Sequence, residues 1–228
     1  NNNRLVLRVL ASLLYPQYCL MCSQFGSDLC DPCTTQWTLP SYRFFIASIP
    51  IYVTVPYTEE VARVVVKAKE NGNKEAQNLL AKVIGKNLRQ LRYTQGIENA
   101  LLVPIPSSRA SKRRRGEDFL LEIVERVRAE SKDPHFNLEI AQLLRHNRKV
   151  VDQTGLNQSE RRINMKSAFK VDDPNNALSE SKPTIIIVDD VVTTGSTIHA
   201  AISAFREAGF TVAGAIVACA STYRFPIR

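Results

Sequence analysis

A doubly wound α/β fold on a mostly parallel sheet is what this 228-residue sequence predicts, on three observations. Short apolar, strand-like runs ("ALLVPIPSS", Thr184 to Val188, "FTVAGAIVACA") alternate with runs whose apolar residues fall at helical spacing ("FLLEIVERVRAE", "TIHAAISAFREAG"). Turn signals fall at the joints: Pro104 and Pro106 stop the first strand, and Gly209 ends the last helix. At 44% apolar the chain has material for one well-filled domain plus a small appended module.

Taken in order, "RLVLRVLASLLYP" reads as an amphipathic helix, because Arg8 interrupts its apolar run and no small-residue cleavage site precedes Tyr15. Four cysteines follow, and a boundary near residue 40 divides a module at 1–40 from a main domain at 41–228. "IPIYVTVPY" alternates as a strand. "EEVARVVVKAKENGNKEAQNLLAKVIGKNLRQL" reads as two helices parted at Asn71-Gly72-Asn73, covering one face of the sheet. Ser167 to Val171 is a further strand, and "DDPNNALSESKP" a polar loop. No apolar stretch reaches the roughly 20 residues needed to cross a bilayer, so a soluble, cytoplasmic protein is expected.

Cys19, Cys22, Cys30 and Cys33 form C-x2-C, seven residues, then C-x2-C. Two such knuckles supply four thiolates to one tetrahedral Zn²⁺, and thiolate softness disfavours magnesium and calcium. Disulfides are the alternative; the lack of a secretion signal points to metal. Four thiolates leave no open coordination position, so the expected role is structural. Cys219, alone in an apolar strand, reads as a buried small hydrophobe.

The chemistry concentrates in "IIIVDDVVTTGST", residues 185–197. In an open α/β sheet ligands bind outside the carboxyl ends of the strands, where Asp189 and Asp190 are expected, still partly hydrated. Two carboxylates there suit the vicinal hydroxyls of a ribose. Thr193, Thr194, Gly195, Ser196 and Thr197 then lead into a helix starting near Ile198, and their N–H groups and hydroxyls make a phosphate cradle. No Walker A loop and no G-x-G-x-x-G is present, which disfavours nucleoside triphosphates and dinucleotides.

A formal charge of +8 and a pI near 9.4 favour polyanionic partners. The loop "PIPSSRASKRRRGED" holds Arg109, Lys112, Arg113, Arg114 and Arg115, and leaves a strand next to the acidic turn, where cations suit a pyrophosphate or nucleic-acid phosphates. Arg145, Arg148, Lys149, Arg161 and Arg162 make a second basic region. Aromatics are sparse at 7% and none interleave with Arg113 to Arg115, so no base-stacking platform is visible.

"VDDVVTTGST" resembles the phosphoribosyl pyrophosphate (PRPP) signature of type I phosphoribosyltransferases. The resemblance implies that Asp189 and Asp190 bind the ribose hydroxyls, that Thr193 to Thr197 bind the 5′-phosphate, and that Mg²⁺ accompanies the pyrophosphate. Purine-salvage members carry an acid/base aspartate where this chain has Thr193, a departure that disfavours purine salvage. Over nearly its whole length the chain resembles the ComF family of competence-associated proteins. The match runs through "LLYPQYC" with its paired knuckles, "VVKAKENG", "VPIPSSRASKRRRGED", "QTGLNQSERRIN" and the acidic turn, in that order. Where many members have Phe-Asn-Gln, this chain has Glu117-Asp118-Phe119.

That resemblance implies a type I phosphoribosyltransferase-like fold with an N-terminal zinc module, a PRPP or related phosphoribosyl ligand, and a role in handling single-stranded DNA during natural transformation, with DNA-uptake machinery as a partner. It implies Lys69, Arg109, Arg113, Arg114 and Arg115 as pyrophosphate or DNA contacts. The alternative is an active PRPP-dependent phosphoribosyltransferase with an unidentified acceptor; no catalytic residue is assigned.

Overall fold

The computed structural model describes residues 17–107, 118–131, 133–147, 168–172 and 183–221. The basic-loop residues Arg109 and Lys112 to Arg115, the second-region residues Arg148, Lys149, Arg161 and Arg162, and the opening amphipathic segment lie outside them.

Among the described residues the chain forms a mixed α/β fold with a mostly parallel sheet and a four-cysteine cluster ahead of it. The elements are α1 (Asp31–Thr35), β1 (Tyr42–Ile46), β2 (Ile49–Val53), β3 (Val55–Pro56), α2 (Glu59–Glu70) and α3 (Lys74–Gln95). They continue with β4 (Asn99–Pro104), α4 (Phe119–Glu130), β5 (Asn137–Ile140), β6 (Leu144–His146) and β7 (Phe169–Val171). The last three are β8 (Ile185–Val192), α5 (Ser196–Glu207) and β9 (Val212–Ala220). The large sheet runs β1-β2-β9-β8-β4-β5, with β3 continuing alongside β9. Within this large sheet only β1 pairs antiparallel, with β2.

β8 and β9 are buried nearly throughout, as a parallel strand covered on both faces must be, which is why they read as continuous apolar runs. The chain leaves β4 through α4 to β5 on one side, and leaves β8 through α5 to β9 on the other. Right-handed crossovers in opposite directions place α4 and α5 on opposite faces. Strand order therefore reverses between β4 and β8, the position at which such sheets bind ligands beyond their carboxyl ends.

α2 and α3 form as their periodicity predicts. Thr58 Oγ1 caps α2 by accepting the Val61 N–H at 3.4 Å, and Asn73 Oδ1 caps α3 by accepting the Ala76 N–H at 2.9 Å. α3 lies along β2 and β9, and α2 packs against α3. Asn87, fully buried in α3, stitches this layer to the sheet: its amide donates to the Val217 carbonyl at 2.7 Å and its Oδ1 accepts from Thr54 at 2.9 Å. Gly214 allows that closeness, since a Cβ there would stand 2.4 Å from Leu91 Cδ1.

Three expectations are corrected. The strand beginning near Thr184 does not stop at Val188; it runs through both aspartates to Val192, because Asp189, Val191 and Val192 pair with Val217, Cys219 and Ala220 of β9. The helix expected near Ile198 starts at Ser196. The Ser167 to Val171 strand is shorter, Phe169–Val171, and pairs antiparallel with β6 in a separate two-stranded sheet.

Candidate functional site

Because β8 extends past its expected end, the two carboxylates are set inside the strand: Asp189 is 7% exposed and Asp190 6%. This corrects the expectation of hydrated strand-end acids, and burying two adjacent carboxylates has a definite cost. Three contacts offset it. The Asp189 carboxylate accepts the Asp190 N–H at 2.9 Å, Asp190 Oδ1 accepts the Val191 N–H at 3.0 Å, and Asp190 Oδ2 meets the Lys69 ammonium at 2.6 Å. Lys69 sits in the last turn of α2, a favourable place for a cation on a helix, with its ammonium 5.9 Å from the centre of the Phe119 ring. Residues 121 positions apart thus meet at the switch point.

Burial, and then the charge of Asp190, push the Asp189 carboxyl well above the ordinary carboxylate range, while the Asp190 N–H and Lys69 act in the opposite direction. Beside the pair stand Cys219, buried as its apolar strand predicts, and Tyr57, which had no obvious signal in sequence. Burial, then Asp190 and Asp189, raise the Cys219 thiol, whose sulfur lies 3.6 Å from the Asp190 carbonyl. Burial, Cys219 and Asp190 raise Tyr57, with Lys69 opposing. Tyr57 is held by its N–H bond to the Ala220 carbonyl at 2.8 Å, at the carboxyl end of β9.

Because Asp189 holds its proton more tightly folded than unfolded, the unfolded chain binds fewer protons than the native one from about pH 4 upward. Stability supplied by the protonated carboxyl is full below that pH and is lost as pH rises through the raised native value. Asp189→Asn, which keeps an acceptor oxygen and cannot ionise, should raise Tm at neutral pH by about 2–4 °C per kcal/mol recovered. It should also flatten the decline of Tm with pH in ligand-free protein. Calorimetric melts of both proteins from pH 4 to 8 check this; parallel curves would mean that the carboxyl ionises alike in both states.

The turn after β8 is the second half of the site. Gly195 has φ +77° and ψ 0°, a left-handed conformation that glycine adopts without a Cβ penalty, and it precedes the first turn of α5. The first intrahelical bond there runs from the His199 N–H to the Gly195 carbonyl at 2.9 Å. The Ser196 N–H donates to Thr194 Oγ1 at 3.4 Å, while the N–H groups of Thr197 and Ile198 open the helix ahead of its ladder, the geometry that receives an anion. The Thr194 and Ser196 hydroxyls are 2.8 Å apart, while Thr193, Thr194 and Thr197 are exposed.

Of the sequence-predicted residues, the structure brings Lys69 to Asp190 and sets Thr193 to Thr197 in the turn beyond them. Arg145 instead pairs with Asp172 across the two-stranded β6-β7 sheet. At the carboxyl end of β4, Ser107 Oγ donates to the Asp118 carboxylate at 3.1 Å.

The cysteine cluster is built by two local turns. A hairpin holds Cys19 and Cys22, with the Cys19 N–H on the Gln24 carbonyl and the Ser23 N–H on the Cys19 carbonyl, both at 2.8 Å. Cys30 precedes α1 and Cys33 lies within it. All four sulfurs lie within 4.8 Å of one another, and Cys22 and Cys30 are 3.6 Å apart. Ligands at about 2.3 Å around a tetrahedral ion stand about 3.8 Å apart, so the four thiols fit Zn²⁺. Burial raises the Cys19 thiol, but N–H groups of Cys22, Cys30 and Met21 outweigh it and bring the group down to about 6. Burial, then the neighbouring thiols, push the Cys33 thiol up. The cluster is anchored: Arg63 donates to the Leu20 carbonyl at 3.2 Å and to that of Met21, and Asn73 donates to Asp28 at 2.8 Å.

Residues 114–224 match the phosphoribosyl transferase domain family, a span that contains the acidic pair, the Gly195 turn and β8 and α5, the two elements that carry them. The chain thus carries a phosphoribosyl transferase domain, which points to a phosphoribosyl ligand. No match was found among curated proteins. No helix among the described residues is long and apolar enough to cross a membrane.

Proposed function

With a phosphoribosyl transferase domain at residues 114–224 as the premise, we propose that the β8–α5 turn binds PRPP with Mg²⁺. We further propose that the protein handles single-stranded DNA in natural transformation, as its ComF resemblance implies, in the cytoplasm and alongside DNA-uptake machinery. One observation carries the pocket: a buried acidic pair stands one turn before an unladdered helix N-terminus opened by Gly195. Asp189 and Asp190 accept the ribose hydroxyls, and the N–H groups and hydroxyls of residues 193–197 hold the 5′-phosphate. Mg²⁺ suits this donor set as a hard cation that prefers oxygen ligands, and it offsets charge between pyrophosphate and carboxylates. Cys19, Cys22, Cys30 and Cys33 hold a structural Zn²⁺.

Lys69 beside Asp190 favours a second reading, an active phosphoribosyltransferase, because a cation next to the ribose acids is placed to stabilise departing pyrophosphate. On that reading the chain supplies positioning and charge, and the acceptor is an outside nucleophile. Pyrophosphate release from PRPP, with and without single-stranded DNA or nucleobases, separates the two.

The DNA role rests on the net charge of +8 and on the family resemblance, with Arg113, Arg114 and Arg115 as the phosphate contacts. Replacing all three by alanine should weaken single-stranded DNA binding and flatten its salt dependence by about 0.7 in log-log slope per lost phosphate contact. Fluorescence anisotropy across a salt series measures both. An unchanged affinity and slope would move DNA binding to Arg161 and Arg162 or remove it.

A further inference from the structure

We propose that residues 4–16 dock as an amphipathic helix in the groove between the cysteine hairpin and α2, with their apolar stripe against Val66. The groove has a volume of about 830 Å³ and is lined by Tyr18 and Leu20 on the hairpin side and by Ala62, Arg63 and Val66 on α2. α2 turns Val61, Val64, Val65 and Ala68 inward, which leaves Ala62 and Val66, one turn apart, on its outer side. Val66 is 48% exposed and Tyr18 54%. A single exposed apolar side chain is ordinary, but here an aliphatic and an aromatic one share a concave surface with Leu20.

The chain supplies the occupant. Gln17 lines the groove, so the residues before it start at its edge, and no long loop has to be closed to bring them in. At helical spacing Val6, Val9, Leu10, Leu13 and Leu14 fall at i, i+3, i+4, i+7 and i+8, one apolar stripe with Arg4 and Arg8 on the opposite side. Pro16 ends such a helix just before the hairpin. Residues 4–15 in a helix rise about 18 Å, as does the 12-residue α2, so the stripe matches the length of the helix it covers. A helix this short is marginal alone in water, because few hydrogen bonds repay its nucleation, and it gains most of its stability from a face to pack on. Docking buries the stripe and Val66 together and leaves both arginines in water. The covalent tether holds the segment at the groove at a far higher effective concentration than a free partner reaches.

The test is limited trypsin digestion of the zinc-loaded full chain, with cleavage after Arg8 followed by mass spectrometry. The proteins compared are the parent, Val66→Asp, Val66→Leu, Leu10→Asp/Leu13→Asp, and the Val66→Asp and Leu10→Asp/Leu13→Asp changes combined. In the parent the docked helix should resist cleavage. Val66→Asp, far from Arg8 in sequence, should speed it by about ten- to a hundredfold, the loss expected for one apolar contact replaced by a charge. Leu10→Asp/Leu13→Asp should do the same, and the combined protein should be cut no faster than the quicker of the two, since both open one contact. Val66→Leu, which keeps the apolar wall, should keep the protection. Unchanged cleavage in Val66→Asp, or additive effects in the combined protein, would overturn the proposal. So would protection that grows with protein concentration, which would give the groove to a second copy, or protection seen only with anionic phospholipid vesicles, which would give the stripe to a membrane surface. Should Val66→Asp fail to fold, as its far-UV spectrum would show, Val66→Ser replaces it in the same comparison. The docking contact is independent of the phosphoribosyl reading, and either can fail without the other.

Discussion

On the proposed assignment of Zn²⁺ to the four cysteines, stripping the metal under reducing conditions should expose Trp37. This is the single tryptophan of the chain, it is 2% exposed, and its indole N–H points at Met21 Sδ at 3.3 Å, between two of the four cysteines in sequence. The segment from Gln17 to Thr38 holds only the five-residue α1, a three-residue 3-10 turn and one isolated bridge between Tyr18 and Phe25. So little regular structure leaves the segment leaning on its core contacts and on a cross-link, and apparent structural zinc affinities of about 10–16 kcal/mol are large beside what such contacts supply. Chelation, or Cys22→Ser with Cys30→Ser, should shift tryptophan emission to the red and make the segment protease-sensitive. The far-UV signal of the sheet should survive in part. An unshifted emission in protein with well under one equivalent of zinc would show that the module stands on packing alone.

Asp190→Asn should weaken PRPP by about ten- to a hundredfold, since a hydrogen bond to a charged acceptor is worth about 1.5–3 kcal/mol. The substitution removes the charge that Lys69 pairs with at 2.6 Å while leaving an oxygen for the Val191 N–H. Folding should suffer less than binding, because the neutral amide also relieves repulsion from Asp189. Titration calorimetry paired with thermal melts separates the two effects. Equal affinity in both proteins would remove Asp190 from the pocket.

The helical layer was readable because its signals are local: Asn71-Gly72-Asn73 breaks, and the buried Val61, Val64, Val65 and Ala68 repeat at helical spacing. β1 was not readable, although it pairs along its whole length with β2, because its hairpin turns at Ala47 and Ser48 with φ of 50° and 65°. Those are left-handed conformations without the glycine or asparagine that would announce them. β5 is a four-residue edge strand whose "NLEI" carries no stronger pattern than a loop.

At the site, the acidic turn showed itself as an unusual string, but its burial did not. Whether Asp189 lies in water or in a strand depends on its pairing with Val217, a contact made across the α5 crossover. The Lys69 pairing is longer in range still: resemblance marked the lysine, and only the stacking of α2 on α3 and of α3 on β9 sets it beside Asp190. Cys219 was legible as a buried small hydrophobe, but its place beside the acids was not, and Tyr57 gave no signal, because both come to the site through the pairing at the carboxyl end of β9.

The most direct test of the central claim is amide hydrogen exchange on the zinc-loaded protein with and without PRPP and Mg²⁺. The account predicts slowed exchange at the backbone N–H groups of Thr194 to Ile198, where the phosphate is held, with the centre of α3 unchanged. Exchange in that turn indifferent to saturating PRPP, or protection confined to other parts of the chain, would contradict it.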